Sequence, residues 1–175
     1  MKRIFGIAIL LAFFAAGVSA KDKNIVVQFD KFTGKTTVTM KQITIGTFGL
    51  GFTNLSLSAC SLNDQPKPAA LIIYSYSQSW QFLDGADVYL LVDGERINLG
   101  HFASVKGTIE SGGWLNETIA APVDHSVLDK ISAATRVEMK IGSYNTKLNA
   151  KGIERVRAFV GALATLPMDS AKSSR

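Results

Sequence analysis

The sequence offers few histidine and cysteine side chains for acid–base or nucleophilic chemistry. It contains two histidines, His101 and His125, and one cysteine, Cys60. Asp124 precedes His125, but the pair falls at the start of a predicted helix, where Asp is a common N-cap and chain neighbours need not face each other. His101 lies at a strand boundary without an acidic neighbour in the chain. We therefore predict no catalytic residue.

Metal and cofactor sites have equally little support. One cysteine and two separated histidines do not supply the closely spaced ligands of a zinc site. Residues 84–87 and 93–95 come nearest to a calcium loop, but Asp-Gly pairs are typical of turns and the twelve-residue ligand pattern is missing. No glycine-rich stretch has the spacing of a phosphate-binding loop. We predict no metal ion and no cofactor.

An aromatic stripe is the one candidate for binding. Tyr74, Tyr76, Trp80 and Phe82 all occupy even positions, so an unbroken strand would place the four rings on one face. Core packing explains most of such a stripe, because each buried ring removes about 150–250 Å² from water. Trp80 lies beside a turn signal at Asp84-Gly85, which favours partial exposure. We therefore predict Trp80 and Tyr76 as ligand-binding residues, through stacking on a sugar or on a partner's side chain.

The N-terminal segment is typical of a cleavable secretory signal peptide. Lys2 and Arg3 precede the apolar run 4–16, and residues 17–20 have the small side chains of a cleavage site. This run is shorter than the roughly twenty apolar residues of a membrane helix, and no later run is longer. We predict cleavage after Ala20, a periplasmic or secreted bacterial protein, and no stable membrane insertion.

The predicted mature chain is one domain. Residues 21–168 have the usual length of a single β-rich domain, and residues 169–175 are predicted to be a flexible polar tail. Removing Lys2 and Arg3 lowers the formal net charge from +5 to +3, and the remaining basic residues are scattered. That distribution does not favour nucleic-acid binding. Cys60 has no second cysteine to pair with, and free cysteine is commonly buried, so we predict a core position for it.

Period-two alternation dominates the chain and predicts antiparallel strands. Residues 25–29 and 38–40 form a predicted hairpin, and phase shifts at 41–42 and between 52 and 55 predict bulges or turns. The remaining predicted strands are 69–76, 80–83, 88–92, 95–99, 102–109, 114–119, 136–141 and 144–148, with the apolar run 88–92 as a central strand covered on both faces. Asp93-Gly94 and Gly142-Ser143 predict tight turns.

Two helices follow from changes of period near the C-terminus. Val127, Leu128, Ile131 and Ala134 recur at helical spacing after Asp124. Asn149 is a predicted N-cap for a last helix with an apolar stripe of Ile153, Val156, Val160 and Leu163. The fold class is therefore mainly β, an antiparallel sandwich or curved sheet with two C-terminal helices packed against it. An up-and-down barrel with a ligand cavity is the alternative topology.

These observations favour a non-enzymatic binding or accessory module of the bacterial envelope, with a protein or carbohydrate partner. A carboxylate-dependent hydrolase is the first alternative, because the chain contains fourteen acidic residues. A small carrier of an apolar ligand inside a curved sheet is the second.

Overall fold

The computed structural model describes residues 22–48, 51–62, 65–66 and 68–165. The predicted signal peptide and the predicted polar tail lie outside these residues. The strands are β1 (Ile25–Asp30), β2 (Lys35–Phe48), β3 (Gly51–Leu62), β4 (Gln65–Pro66), β5 (Ala69–Ser77), β6 (Ala86–Val92), β7 (Glu95–Ile109), β8 (Leu115–Val123), β9 (Val137–Ile141) and β10 (Tyr144–Leu148). The helices are α1 (His125–Ala133) and α2 (Ala150–Ala164).

All strand pairs are antiparallel, and nine strands follow one another in the order β1-β2-β3-β5-β8-β7-β6-β9-β10. The short β4 pairs with β3. The sheet curls into a half-barrel, and both helices pack against it, as the sequence predicts. The curl brings β10 near β2, where the Thr146 hydroxyl donates to the Ile45 carbonyl. The hydrogen-bonded order nevertheless ends at β1 and β10, so the sheet remains open.

The first hairpin and its bulge confirm the period-two analysis. β1 pairs with β2 from Ile25↔Met40 to Asp30↔Lys35. The register of β2 against β3 shifts between Met40 and Ile43, where the apolar phase of the sequence changes. The predicted irregularity between residues 52 and 55 lies in the pairing with β2, because the register shifts again between Thr44 and Gly46, opposite Asn54 and Thr53. On its other side, β3 pairs continuously with β5 from Phe52 to Ser58. Phe52 faces outward and is exposed.

The core lies between the concave inner face of the sheet and α2. Its members include Leu55, Leu57, Leu71, Ile73 and Phe102, all nearly inaccessible to solvent. The helix contributes Ile153, Val156 and Phe159, while the predicted stripe members Val160 and Leu163 are partly buried against the same core. Asn149 caps the helix as predicted, because its Oδ1 accepts from the Gly152 N–H at 2.8 Å. The cap fixes where α2 begins.

Both predicted tight turns are present. Asp93 and Gly94 have φ of 46° and 94°, and positive φ at both central positions is the type I′ geometry that Asp-Gly favours. The turn joins β6 to β7. Gly142, with φ of 57°, joins β9 to β10. The Asp93 carboxylate also accepts from the backbone N–H groups of Thr135 and Arg136, at 3.1 and 2.7 Å, and from the Thr135 hydroxyl. The turn is thereby tied to the start of β9.

Three strand predictions are wrong. β6 is an interior strand of the sheet, but it alternates buried and open positions rather than being covered on both faces, and Leu91 is exposed. The predicted strands 95–99 and 102–109 are one continuous strand, β7. Residues 78–85 contain bends and a turn instead of the predicted strand 80–83.

The predicted core position of Cys60 is also wrong. The odd-numbered residues of β3 face the core, so Cys60 at an even position lies outside it and is half-buried. The described residues contain no helix long and apolar enough to cross a membrane.

Candidate functional site

The segment 78–85, between β5 and β6, is held on the inner face of the sheet by a buried carboxylate. Glu117 is 2% exposed, and its Oε2 and Oε1 accept from the backbone N–H groups of Gln81 and Phe82 at 2.7 and 2.8 Å. Ser77 begins the departure from β5, with its hydroxyl donating to the Ser79 carbonyl at 2.5 Å. Because two consecutive amides bind one side chain, the segment has a defined position.

That position places Trp80 against the backbone of β7. A Cβ built at Gly107 would lie only 3.0 Å from Cζ3 of the Trp80 ring, so the ring rests where a larger residue would have a side chain. The register pairs Gly107 with Glu117, which puts the ring on the inner face of the sheet. Trp80 remains 39% exposed, as the sequence predicts for the ring beside the turn. The Trp80 ring is therefore accessible to solvent, while its position against β7 is fixed.

Beside Trp80, one edge of β7 lacks a strand partner. Residues 95–102 of β7 pair with β6, whereas residues 103–109 pair with β8 on their other side. In the described part of the chain, no strand pairs with the edge of 103–109 that faces away from β8. Residues 103–107 are all exposed, and Val105 and Ile109 are apolar residues with exposures of 65% and 71%. We call residues 103–109 the free edge.

The two faces of the free edge differ in chemistry. Gly107 and Ile109 pair with Glu117 and Leu115 on the inner face, the face on which the Trp80 ring lies. Lys106 and Thr108 pair with Thr118 and Asn116 on the outer face, so this face is polar. An extended chain beside the edge would therefore meet apolar surface on one face and polar surface on the other.

The side chain of His101 holds the C-terminal end of segment 78–85 against β7, and we call this arrangement the histidine clamp. The ring of His101 on β7 lies between two acceptors, the Asp87 carboxylate at 3.0 Å from Nδ1 and the Asp84 carbonyl at 3.1 Å from Nε2. Both ring nitrogens must carry a proton to donate to both. The hydrogen bond with Asp87, followed by that with Asp84, raises the pKa of His101 above its ordinary value. These two contacts join the start of β6 and the end of segment 78–85 to β7.

The structure does not bring the predicted binding residues Trp80 and Tyr76 together. Tyr76 pairs with Asn116 on the outer face, opposite the face that holds Trp80. Its ring is stacked between Phe52 and Trp114, with centroid distances of 5.4 and 4.8 Å. Both faces of the Tyr76 ring are thus occupied by other rings, and stacking of a ligand on Tyr76 stays a prediction that its neighbours do not favour.

The core prediction for the aromatic stripe holds for only one member. Phe82 is buried, but Tyr74 is half-buried on the outer face. Ser75 and Ser77 occupy the inner face instead, because β5 places its odd-numbered residues inward. The break in the strand after Ser77 also means that residues 74–82 do not share one face.

The residues that the sequence analysis considered for chemistry are dispersed. His125 opens α1 and is exposed, and Asp124 is the N-cap without a side-chain capping bond. The described residues contain no group of three His, Cys, Asp or Glu side chains that could hold a metal ion. Glu117 is the one buried carboxylate among them.

Comparisons with known proteins identified no relative of this chain. No family model, curated protein or solved structure matches the chain. The functional argument therefore depends on the geometry of the site.

Sequence reasoning missed two components of the site. Glu117 alternates with the apolar residues Leu115 and Ile119, and this period of two was the available signal that its carboxylate faces the core. The free edge had no comparable signal, because the split of β7 between two partner strands depends on pairing between distant parts of the chain.

Proposed function

We propose that this protein is an exported, non-enzymatic binding module that captures an extended polypeptide segment as an added strand along the free edge of β7. The observation that supports this most directly is the juxtaposition of an unpaired strand edge with the exposed ring of Trp80. Unpaired N–H and C=O groups at strand spacing are complementary to another extended chain, and side-chain contacts beside them supply specificity.

The added strand would lie beside residues 103–109 of β7, in the position that β6 would occupy if it extended beyond Ala86. β6 begins at Ala86, opposite Phe102, and the chain before it turns away toward Glu117. An incoming segment beside residues 103–109 extends the sheet without displacing a strand. Its alternate residues would pack against Trp80 and Ile109 on the inner face and meet Lys106 on the outer face. We therefore expect alternating apolar and polar residues, with an acidic residue opposite Lys106.

Features that protect β7 from unspecific pairing are consistent with a selective site. Lysine and bulges at edge strands discourage pairing between copies of a protein. The edge carries Lys106, and the register against β8 shifts between Ser104 and Lys106. Exposed Trp80, Val105 and Ile109 have the opposite chemistry, since aromatic and aliphatic residues beside an edge strengthen contact with a matching strand. The combination favours a particular partner over any available strand.

The two alternative functions have less support from the described residues. A hydrolase with paired, desolvated carboxylates would require a second buried acid close to Glu117, and Glu117 is the one buried carboxylate of the described residues. For an apolar carrier, the described surface has grooves of about 250 and 290 Å³. Charged residues line both, among them Arg96 and Lys140 in the first and Lys151 and Arg155 in the second. Neither groove offers an apolar enclosure.

A peptide selection with edge variants tests the proposal. Random peptides displayed on phage would be selected on the mature protein, and the affinity of the best sequences measured by tryptophan fluorescence or calorimetry. We expect Trp80→Ala to weaken binding about 10- to 100-fold, as for a buried aromatic contact. A Val105→Lys/Ile109→Lys variant should weaken it similarly. Leu91→Lys is the matched control, because Leu91 is an exposed apolar residue on the outer face of β6.

Amide hydrogen exchange locates the peptide directly. Strand addition should slow exchange within residues 103–109 when the selected peptide binds. Equal affinity for the wild type and both edge variants, or protection confined to another region, would overturn the proposal. Export is checked separately by intact mass, which should place the N-terminus of the purified protein near Lys21.

A further inference from the structure

A row of small and polar residues crosses the inner face of five strands. The register aligns Gly46 on β2, Thr53 on β3, Ser75 on β5, Glu117 on β8 and Gly107 on β7. An aromatic ring lies at each end. Trp80 covers Gly107, and a Cβ at Gly46 would lie 1.6 Å from the Tyr144 hydroxyl.

Two hydroxyls in this row are buried without a hydrogen-bond partner. Thr53 and Ser75 are 0% and 1% exposed, and neither Thr53 Oγ1 nor Ser75 Oγ bonds to another group. They are adjacent across β3 and β5, and Ser75 is adjacent to Glu117 across β5 and β8. Paired residues of this kind have Cβ atoms about 4.5–5.5 Å apart. Buried polar atoms normally have hydrogen-bond partners, so two adjacent unpartnered hydroxyls in the interior are unusual.

The charge of the row is also unbalanced. Each Glu117 oxygen accepts one backbone N–H and retains further lone-pair capacity. The ion pairs of the described residues join His101 to Asp87, Lys130 to Glu95 and Arg136 to Glu138, and none involves Glu117. Buried charges in proteins are normally paired or coordinate a cation. A row with one carboxylate and two hydroxyls presents oxygen atoms and a single negative charge.

We propose that Thr53, Ser75 and Glu117 form an internal binding site for a compact monovalent cation, either an alkali-metal ion or a small ammonium ion. The oxygen donors match hard cations, and one carboxylate balances one positive charge. Divalent sites usually contain several carboxylates. The bound cation would satisfy the two hydroxyls and strengthen the floor under segment 78–85. This inference is independent of strand addition at the free edge.

Thermal unfolding in chloride salts of equal ionic strength tests the site. The compact cations are sodium, potassium, ammonium and methylammonium, and tetramethylammonium is the bulky reference. At ten times its Kd, a bound cation should raise Tm by about 3–6 °C over the reference. The rise should follow the concentration of one or more compact cations and saturate. Equal Tm in all five salts would mean that water alone fills the site, and would overturn the proposal.

Hydroxyl-deleting variants locate any cation effect. Thr53→Val and Ser75→Ala each remove an unpartnered hydroxyl, a change that leaves the fold intact or stabilises it. We expect each to abolish the cation-dependent rise in Tm. Ser56→Ala is the matched control. Its buried hydroxyl donates to the Met40 carbonyl at 2.6 Å, so its loss should lower Tm equally in every salt and preserve the rise.

Sodium-23 relaxation and the fluorescence of Trp80 in a Trp114→Phe background report binding without unfolding. The Trp80 fluorescence should change when the stabilising cation binds, and the sodium-23 relaxation rate should change if that cation is sodium. Both responses should be lost in Ser75→Ala. A cation effect that survives in both Thr53→Val and Ser75→Ala would place binding elsewhere and refute this site.

Discussion

Glu117→Ala is expected to destabilise the protein more than replacement of any exposed acid. The substitution leaves the backbone N–H groups of Gln81 and Phe82 without their carboxylate acceptor on the inner face of the sheet. A hydrogen bond to a charged group contributes about 1.5–3 kcal/mol net, so two such bonds correspond to roughly 3–6 kcal/mol. Water entering the vacated volume would offset part of this, which gives an expected loss of about 3–5 kcal/mol.

This loss is large on the scale of a single domain. Unfolding free energies are typically about 5–15 kcal/mol, and a domain of this length shifts by about 2–4 °C in Tm per kcal/mol. Glu117→Ala should therefore melt roughly 6–20 °C below the wild type. Glu117→Gln should fall between the two proteins, because one amide oxygen still accepts a bond while the amide NH₂ faces the second N–H.

Urea denaturation and calorimetry measure the effect, and amide exchange shows where it acts. We expect the Gln81 and Phe82 amides to exchange at least tenfold faster in Glu117→Ala. Glu110→Ala is the control, since Glu110 is exposed and accepts only from the Thr108 hydroxyl among the side chains. Its change should stay within about 0.5 kcal/mol. If Glu117→Ala melts within about 2 °C of the wild type with both amides still protected, the proposed anchoring of segment 78–85 is wrong.

Two predictions concern pH, one for the Asp93 carboxylate and one for the His101 imidazole. Hydrogen bonds from Arg136 and Thr135 lower the pKa of Asp93, so its stabilisation is complete above the ordinary value of about 3.9 and is lost as pH falls through the lowered value. Asp93→Asn should reduce the acid-limb dependence of urea unfolding, and part should remain because hydrogen bonds also lower the pKa values of Asp22 and Asp30. Asp129→Asn should retain the full dependence, and an unchanged dependence in Asp93→Asn would refute the assignment. The raised pKa of His101 means that its stabilisation is complete below about pH 6.5 and is lost as pH rises through the raised value. NMR titration of the ring should show that pKa falling toward the ordinary range in Asp87→Asn, and an unaltered titration would disprove the clamp.

Local signals in the sequence were sufficient for turns, caps and the helices. Asp93-Gly94 requires positive φ at two successive residues, and few residue pairs other than Asp-Gly or Asn-Gly accept this. Asn149 has a side-chain oxygen at the position where α2 needs an acceptor. The apolar phase shift at residues 41–42 marks the irregular pairing of β2 with β3. Each of these features is determined by a few consecutive residues.

The errors arose where distant pairing determines the face of a residue. Tyr74 and Tyr76 have the larger apolar surfaces, yet Ser75 and Ser77 face inward, because β5 must continue the inner face set by Leu71 and Ile73. Outer-face rings then bury one another, as in the stack of Phe52, Tyr76 and Trp114. Similarly, a single run of alternating residues in β7 gives no sign that it exchanges one partner strand for another.

The arrangement of segment 78–85 explains why variants of Trp80 and of Glu117 should have different effects on stability and binding. Glu117 is buried and fixes segment 78–85, so its loss should reduce stability and, by releasing the ring, also reduce binding at the free edge. Trp80 has 39% of its surface exposed and contacts a glycine, so its loss should reduce binding more than stability. A double variant of both residues should then bind no more weakly than Glu117→Ala alone, because a ring that is no longer positioned contributes little. Additive losses in binding would show that Trp80 acts independently of the Glu117 anchor, and would separate the binding surface from the segment that is inferred to support it.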